Sequence, residues 1–259
     1  MTPGSFHGVV DSAAGYANMK TTPTVSQLSK GRPKHLDPSE APKPLAWLPK
    51  SVDNSGGGQT WVTSKKWGGL DGELLHLSYG RSALYLVVKE FVNGQVQGGV
   101  VPFKLRFTSS CMRGRFNDRD GQLYISGLKG WQTNAGKNGG LDRVRYTGKP
   151  VNMPKGLNIK KDGIIIHFTS KLDKELAEDP GSYSIRSSNI TWSHNYGSGD
   201  KDQKTYKVES ARLLDDGKSV QLKVPTIGPA HQMEISIDVE TEDGDEIITK
   251  IWNTVHEQG

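Results

Sequence analysis

The chain has 259 residues, of which 34% are hydrophobic and 24% charged, and it includes 31 Gly and 13 Pro. This composition is typical of a globular chain and fits a turn-rich, mostly β protein better than a helical one. No apolar run approaches the roughly 18 to 20 residues that a membrane-spanning helix needs, so no membrane span is expected. The single cysteine, Cys111, excludes an internal disulfide framework and any multi-cysteine metal or haem-attachment motif.

The net charge is +5 and the pI is about 9.1. Basic residues are frequent in 20–50 and 106–161, whereas the stretch 234–246 is acidic. A nucleic-acid-binding protein would concentrate basic and aromatic residues on one element. Here the basic residues are spread through predicted turns and alternating strands, so a solvated surface and no nucleic-acid partner are expected. The start of the chain, Met1–His7, lacks a basic segment followed by an apolar one, so no signal peptide is expected in this copy.

Residues 1–44 are predicted to form an extended, proline-rich arm. The stretch 12–46 is rich in Ser, Thr and Lys, shows no sustained periodicity and contains five prolines: Pro23, Pro33, Pro38, Pro42 and Pro44. Such a composition buries too little apolar area to order itself. We therefore expect a loop or an arm that lies across another part of the structure.

Residues 45–150 are predicted to form a propeller-blade-like β region. Apolar, β-branched and aromatic runs lie at 73–78, 83–88 and 97–101, and an Asn93-Gly94 turn precedes the last of them. A second unit begins at the turn Asp120-Gly121. A blade cannot bury its faces alone, and closed propellers have roughly 4 to 8 blades, whereas we count about two here. We therefore predict a partial β-propeller made of antiparallel sheets.

Residues 151–259 are predicted to form an immunoglobulin-like β-sandwich. A linker at 149–154 carries two prolines, which deny ladder hydrogen bonds. After it come a buried-type strand at 163–168 and a short capped helical turn or two at 170–177. Further strands are expected at 183–186, 206–214, 219–224, 233–239 and 246–252. Asp-Gly turns separate several of them, with turn signals about every 8 to 12 residues. The whole chain is thus predicted to be all-β.

Four stretches together resemble a known family. The segments 52–61, 74–80, 120–132 and 143–150 are similar to large envelope proteins of planctomycetes and related bacteria. Those proteins carry a glucose/sorbosone-dehydrogenase-like β-propeller, often beside haem-binding modules, and a sandwich that the later part of this chain also resembles. The resemblance covers most of the chain from about residue 45. It implies the C-terminal part of such a protein, truncated or split, in the periplasm or cell envelope.

The same resemblance implies pyrroloquinoline quinone as a cofactor, held by basic side chains at the starts of late blades. Arg113 falls where one such arginine would lie, while Cys111 replaces another. Arg81 stands beside Gly80, where the family has a lysine. Arg113 and Arg81 are therefore the cofactor-binding candidates. The catalytic histidine of the family lies in an earlier blade, and the catalytic residues stay unknown.

Read from the residues alone, the signals for chemistry are weak. Dehydrogenation through a quinone needs a general base, and His76 is a candidate. However, His76 lies on an alternating strand where one face must be polar, which favours a structural or surface role. No metal site is predicted, because the histidines are far apart and lack cysteine partners. Cys111 is expected to be a buried small hydrophobe.

Binding has stronger signals. Four tryptophans lie beside Gly, Asn or Ser in predicted loops, where a ring stacks on a sugar or packs in the core: Trp61, Trp67, Trp131 and Trp192. The preferred loop is the one around Trp131. The candidate ligand-binding residues are Trp131, Gln132, Asn134, Trp61 and His76.

From these features we expect a binding or structural remnant, or one half of a split enzyme, which recognises carbohydrate, another small polar ligand or a protein partner. The alternative is a quinone-dependent sugar or alcohol oxidoreductase. Open blade faces and strand edges also predict self-association, or a partner chain that completes the propeller.

Overall fold

The computed structural model describes residues 43–191 and 199–259. Of the described residues, half are strand and 4% are helix, so the prediction of an all-β chain is confirmed for this part of the chain. One compact unit consists of Leu45–Asn189 and Asp202–Gly259. A second unit comprises Met1–Pro44 and Ile190–Lys201. Of this second unit the structure describes only residues 43, 44, 190, 191 and 199–201. The predicted arm, 1–44, thus lies almost wholly outside the described residues.

Fifteen strands and one α-helix occur in the described part of the chain. The strands are β1 Gly56–Trp61, β2 Leu74–Ser78, β3 Ala83–Val92, β4 Gln95–Pro102, β5 Arg113–Phe116, β6 Leu123–Leu128, β7 Gly139–Val144, β8 Pro154–Lys160, β9 Gly163–Phe168, β10 Tyr183–Ile190, β11 Asp200–Tyr206, β12 Ser210–Leu213, β13 Ser219–Lys223, β14 Ala230–Glu240 and β15 Glu246–Val255. The helix, α1, is Lys174–Glu178, and a 3-10 turn follows at Pro180–Ser182.

The strands form three antiparallel sheets, none of which is closed. The largest has eight strands in the order β1-β2-β3-β4-β15-β14-β10-β11. A four-stranded sheet has the order β12-β13-β9-β8, and a three-stranded sheet has the order β5-β6-β7. The eight-stranded sheet therefore takes strands from both sides of the predicted boundary at residue 150.

Local turn chemistry explains several of the hairpins. Asn93 and Gly94 both have positive φ, 49° and 86°, which is the backbone that a two-residue type I′ hairpin needs between β3 and β4. Gly217 and Gly244 also have positive φ, 66° and 83°, at the predicted Asp-Gly turns. The predicted short capped helix is present too, and its N-cap is Asp173, whose side chain accepts from the Leu176 N–H.

One apolar core is shared by all three sheets. It contains Leu75 and Leu77 from the eight-stranded sheet, Ile125 from the three-stranded sheet, and Ile164 and Ile166 from the four-stranded sheet. The predicted linker contributes as well, because Met153 is buried in this core. The three sheets consequently depend on one another for burial of their apolar faces.

The eight-stranded sheet also carries a smaller apolar cluster on its other face. Along β3 the side chains alternate, since Leu84 and Leu86 enter the shared core while Tyr85 and Val87 enter the second cluster. Leu45, Leu48 and Val52 complete that cluster. Residues 45–53, called the covering segment below, therefore lie over the second face of the sheet.

Candidate functional site

The predicted residue His76 belongs to a buried polar cluster. Its Nε2 lies 2.6 Å from Asp53 Oδ2, and the Ser78 hydroxyl donates to Asp53 Oδ1 at 2.6 Å. His76 and Ser78 share one face of β2 because they are two residues apart. The His76 side chain is 11% exposed, the Asp53 side chain is 6% exposed, and Ser78 is fully buried.

This cluster has the residue types of a catalytic triad but not its geometry. A nucleophilic serine must bond to the histidine that removes its proton. Here Ser78 bonds to the carboxylate instead and is inaccessible to a substrate. The cluster binds the covering segment to β2, and the hydroxyl of Tyr85 adds a hydrogen bond to the Val52 carbonyl at 2.7 Å. The contacts of His76 therefore help to hold the covering segment on the sheet.

Asp53 is the residue that the sequence analysis missed. It lies 23 positions from His76 and outside any regular strand. No periodicity or motif connects the two positions, so the pairing becomes visible only when the covering segment folds over β2.

The two cofactor candidates are each held by main-chain carbonyls. The Arg81 Nη2 donates to the Lys50 carbonyl at 2.6 Å, and its backbone N–H donates to Ser78 Oγ at 3.0 Å. Arg113 is exposed, and its Nη1 donates to the carbonyls of Gly57 and Met112. Arg81 thus belongs to the surroundings of the His76 cluster, whereas Arg113 lies at the contact between β5 and β1.

These contacts bear on whether a quinone fits. An anionic planar cofactor requires cationic groups that converge on an accessible cleft. A cavity of about 370 Å³ is lined by residues of 63–66 and 116–121, and one of about 210 Å³ by residues of 160–165, 210–212 and 221–223. Neither is lined by Arg81 or Arg113. The arrangement gives no support to a quinone site at these two residues.

The loop that joins β6 and β7, residues 129–138, is called the Trp131 loop below. The Trp131 side chain is 70% exposed, and Gln132 and Asn134 are exposed beside it. Three hydrogen bonds hold residues 132–134 of the loop: Asn54 Nδ2 to the Gln132 carbonyl at 3.0 Å, Thr133 Oγ1 to the Tyr79 carbonyl at 2.8 Å, and the Asn134 N–H to the Gly80 carbonyl at 2.9 Å. A large aromatic face is therefore presented on a fixed main chain.

The other tryptophans are not part of this loop. Trp61 is 52% exposed, and it lies at the end of β1 where it pairs with Leu74. The Trp131 loop is bonded to Tyr79 and Gly80, which follow the opposite end of this strand pair, where Ser78 pairs with Gly56. The Trp61 ring lies 5.5 Å from Lys89 Nζ. Trp67 is buried and packs edge-on against Phe116, which confirms the core alternative for that residue. Trp192 lies outside the described residues.

Cys111 is confirmed as a buried side chain with no exposed surface. Burial raises the pKa of its thiol to about 12, and the carboxylate of Asp142 adds to the shift. A thiol with such a pKa is not a nucleophile at neutral pH. Within 43–191 and 199–259, no group of three or more metal-ligating side chains comes together.

Comparison with protein-family models, with curated proteins and with solved structures gives no match to this chain. The helix found in the described residues is far too short to cross a membrane, and no other helix there has the required length and apolarity. Function must accordingly be inferred from the geometry.

Proposed function

We propose that this chain is a binding protein that recognises carbohydrate through the Trp131 loop. The observation that carries the proposal is the 70% exposed Trp131 ring on a loop held by three hydrogen bonds. Because the main chain of the loop is already held in place, the loop loses less conformational entropy when a ligand binds. Aromatic faces pack on the apolar faces of sugar rings, and the exposed amides of Gln132 and Asn134 offer donors and acceptors for hydroxyl groups.

Binding is favoured over catalysis because His76 is not placed to act as a general base. A general base needs an accessible ring nitrogen within reach of the substrate. His76 is 8% exposed, and its Nε2 is bonded to Asp53. The quinone-dependent oxidoreductase is thus the weaker alternative.

We extend the proposal to the architecture: a partial propeller followed by an immunoglobulin-like sandwich, related to sugar-dehydrogenase-like envelope proteins. Support comes from β1–β4 and β5–β7, which are consecutive antiparallel meanders as blade strands are. The family and a location in the periplasm or cell envelope rest on the sequence resemblance. Self-association, or a partner chain, stays a prediction that concerns the sheet edges at β1 and β11.

Affinity electrophoresis through gels that contain neutral or acidic polysaccharides tests the proposal. At least one polysaccharide should retard the protein, and Trp131→Ala should abolish that retardation. Phe91→Ala is the matched control, because Phe91 is 71% exposed and lies on β3, outside the loop. This control should bind as the unmodified protein does.

Three results would contradict the proposal. They are the absence of retardation by any polysaccharide, equal binding by Trp131→Ala, and sugar-dependent dye reduction when pyrroloquinoline quinone and calcium are added. The last result would revive the oxidoreductase alternative and direct attention to Arg113.

A further inference from the structure

The positive charge of this chain is concentrated in the segment that forms the three-stranded sheet. Residues 104–149 contain ten Lys and Arg against three Asp and no Glu, a net charge of +7 compared with +5 for the whole chain. The sequence places these residues in turns and strands without showing which of them lie together. The strand register decides that question.

The register places three arginines on one face of the sheet. Arg115 and Arg143 both pair with Tyr124, and Arg113 pairs with Ser126, which in turn pairs with Leu141. These six residues form the outer face of the three-stranded sheet, as it is called below. The opposite face, with Leu123 and Ile125, enters the shared core.

The spacing of the three arginines suits a chain of anionic groups. Arg113 and Arg115 are two residues apart on β5, which corresponds to about 7 Å along the strand. Arg115 and Arg143 lie two strands apart, about 10 Å across the sheet. A guanidinium group matches a carboxylate group with two parallel hydrogen bonds.

The arginines are not neutralised by ion pairs within the described residues. Arg113 and Arg115 donate to main-chain carbonyls, and no salt bridge involves either of them or Arg143 in that part of the chain. One acidic residue that interacts with Arg143 is Asp120. The Asp120 carboxylate accepts a hydrogen bond from the Tyr124 hydroxyl at 2.8 Å. The hydrogen bonds from Gln122 and Tyr124 lower the pKa of this carboxyl most, and the charge of Arg143 lowers it further. Asp120 offsets part of the positive charge at one end of the face.

The outer face continues into the Trp131 loop. The β6–β7 hairpin carries the loop and four of the six residues of the outer face, and Leu128, which is 45% exposed, lies on β6 between them. A Cβ placed on Gly130 would lie 3.3 Å from Leu128 Cδ1, so the start of the loop packs against this side chain. Leu128 lies two residues beyond Ser126 on β6 and thus on the same face, and Ser126 is the partner of Arg113, so a ligand that extends from the loop along this face would meet Arg113 first.

We propose that the ligand of the Trp131 loop is an acidic polysaccharide whose carboxylate or sulfate groups bind Arg113, Arg115 and Arg143. This inference rests on the proposed carbohydrate binding. A single-stranded nucleic acid shares the negative charge, but it is held by successive aromatic platforms for its bases. The outer face offers Tyr124 alone, with its hydroxyl engaged, beside the aliphatic Leu141. Three positive charges on one sheet face, with a single exposed tryptophan in the following loop, suit a glycan better.

The test measures the affinity of the full chain for polygalacturonate, for neutral dextran and for single-stranded oligo(dT). The variant Arg113→Gln/Arg115→Gln/Arg143→Gln should weaken polygalacturonate binding about tenfold or more and make it less dependent on salt. The matched control is Lys160→Gln/Arg212→Gln/Lys223→Gln, which removes the same charge from residues that line the 210 Å³ cavity. The control should change the affinity by less than about twofold.

The outcomes separate the two proposals. If dextran binds as tightly as polygalacturonate and the arginine variant binds both normally, the proposal of an acidic ligand is wrong, but the proposal of carbohydrate binding stands. If no polysaccharide binds, carbohydrate binding itself is wrong. If oligo(dT) binds more tightly than polygalacturonate and the arginine variant loses that binding, the ligand is a nucleic acid and not a glycan. If the triple variant does not fold, the single variant Arg143→Gln replaces it in the affinity measurements, provided that its circular dichroism spectrum is unchanged.

Discussion

Individual half-buried polar residues in this molecule are surrounded by specific hydrogen-bond partners. Glu234 on β14 accepts from Lys250 Nζ at 2.7 Å, Arg186 Nη2 at 2.9 Å and Trp252 Nε1 at 3.0 Å. Burial acts to raise the pKa of Glu234, but the three donors outweigh it and hold the pKa below its usual value. The contacts of Glu234 thus link β14 to β10 and β15 within the eight-stranded sheet.

His167 on β9 is a second example, with a consequence for pH dependence. Its Nδ1 lies 2.8 Å from Ser219 Oγ, and its Nε2 lies 2.8 Å from Asn158 Oδ1. Burial lowers the pKa of His167, Asp216 acts in the opposite direction, and Lys155 lowers it further. The unfolded chain therefore takes up this proton first as the pH falls.

The sign of the pH effect follows from that lowered pKa. The contribution of His167 to stability is fully present above its unfolded pKa of about 6.5 and is lost as the pH falls through the lower folded value. We expect the unfolding free energy to decrease between pH 7.5 and pH 5.5 by less in His167→Gln than in the unmodified protein. Urea unfolding at both pH values measures this. An identical decrease in the two proteins would show that His167 does not contribute.

At the scale of elements, β4 is the strand on which the arrangement depends. It pairs with β3 along its length and joins β15 through Val100↔Trp252 and Gly99↔Asn253. Gly98 and Gly99 are both buried at this position. An added Cβ on Gly99 would lie 2.1 Å from the Trp252 carbonyl oxygen, which is closer than any atom tolerates. Gly99 therefore lets β4 and β15, from the two halves of the chain, approach each other, while Gly98 allows the close approach of β3, where an added Cβ would lie 2.1 Å from the Val88 carbonyl oxygen.

Gly99→Ala should consequently destabilise the protein. We expect a loss of about 1–3 kcal/mol in unfolding free energy, because the methyl group forces β4 away from β15. Gly228→Ala is the control, since nothing lies within 4 Å of the added carbon. The control should stay within about 0.5 kcal/mol of the unmodified protein. Equal stability of the two variants would mean that β4 and β15 do not pair as described.

At the scale of the whole molecule, the shared core makes residues 45–189 and 202–259 one compact unit. Leu77 on β2 and Ile166 on β9 lie on opposite sides of the predicted boundary at residue 150 but in the same apolar cluster. Apolar faces that are buried against each other lose their stabilisation together when either is exposed.

We therefore expect one cooperative unfolding transition. Hydrogen exchange followed by mass spectrometry at increasing urea should show β2 and β9 losing protection at the same concentration. Two separate transitions would instead support the predicted division into 45–150 and 151–259 as independently stable domains, a division that otherwise stays a prediction.

The sequence alone determined the all-β class, most strands and the hairpin turns. Those features depend on neighbours in the chain: Asn93-Gly94 accepts positive φ, and the alternation along 83–88 marks two buried faces. The burial of Cys111 also followed from local context. The exposure of Trp131 did not, because the sequence left core packing open for each tryptophan even though it favoured the loop around Trp131 as the ligand-binding one.

Only the tertiary structure decided which distant residues meet. The pairing of Asp53 with His76, the joining of β4 to β15 and the alignment of Arg113, Arg115 and Arg143 each depend on strand register or on packing over the shared core. A shift of one residue in register would turn a side chain to the opposite face. The physical reason is that such contacts form where burial of the whole core is most favourable, and no short stretch of sequence contains that information.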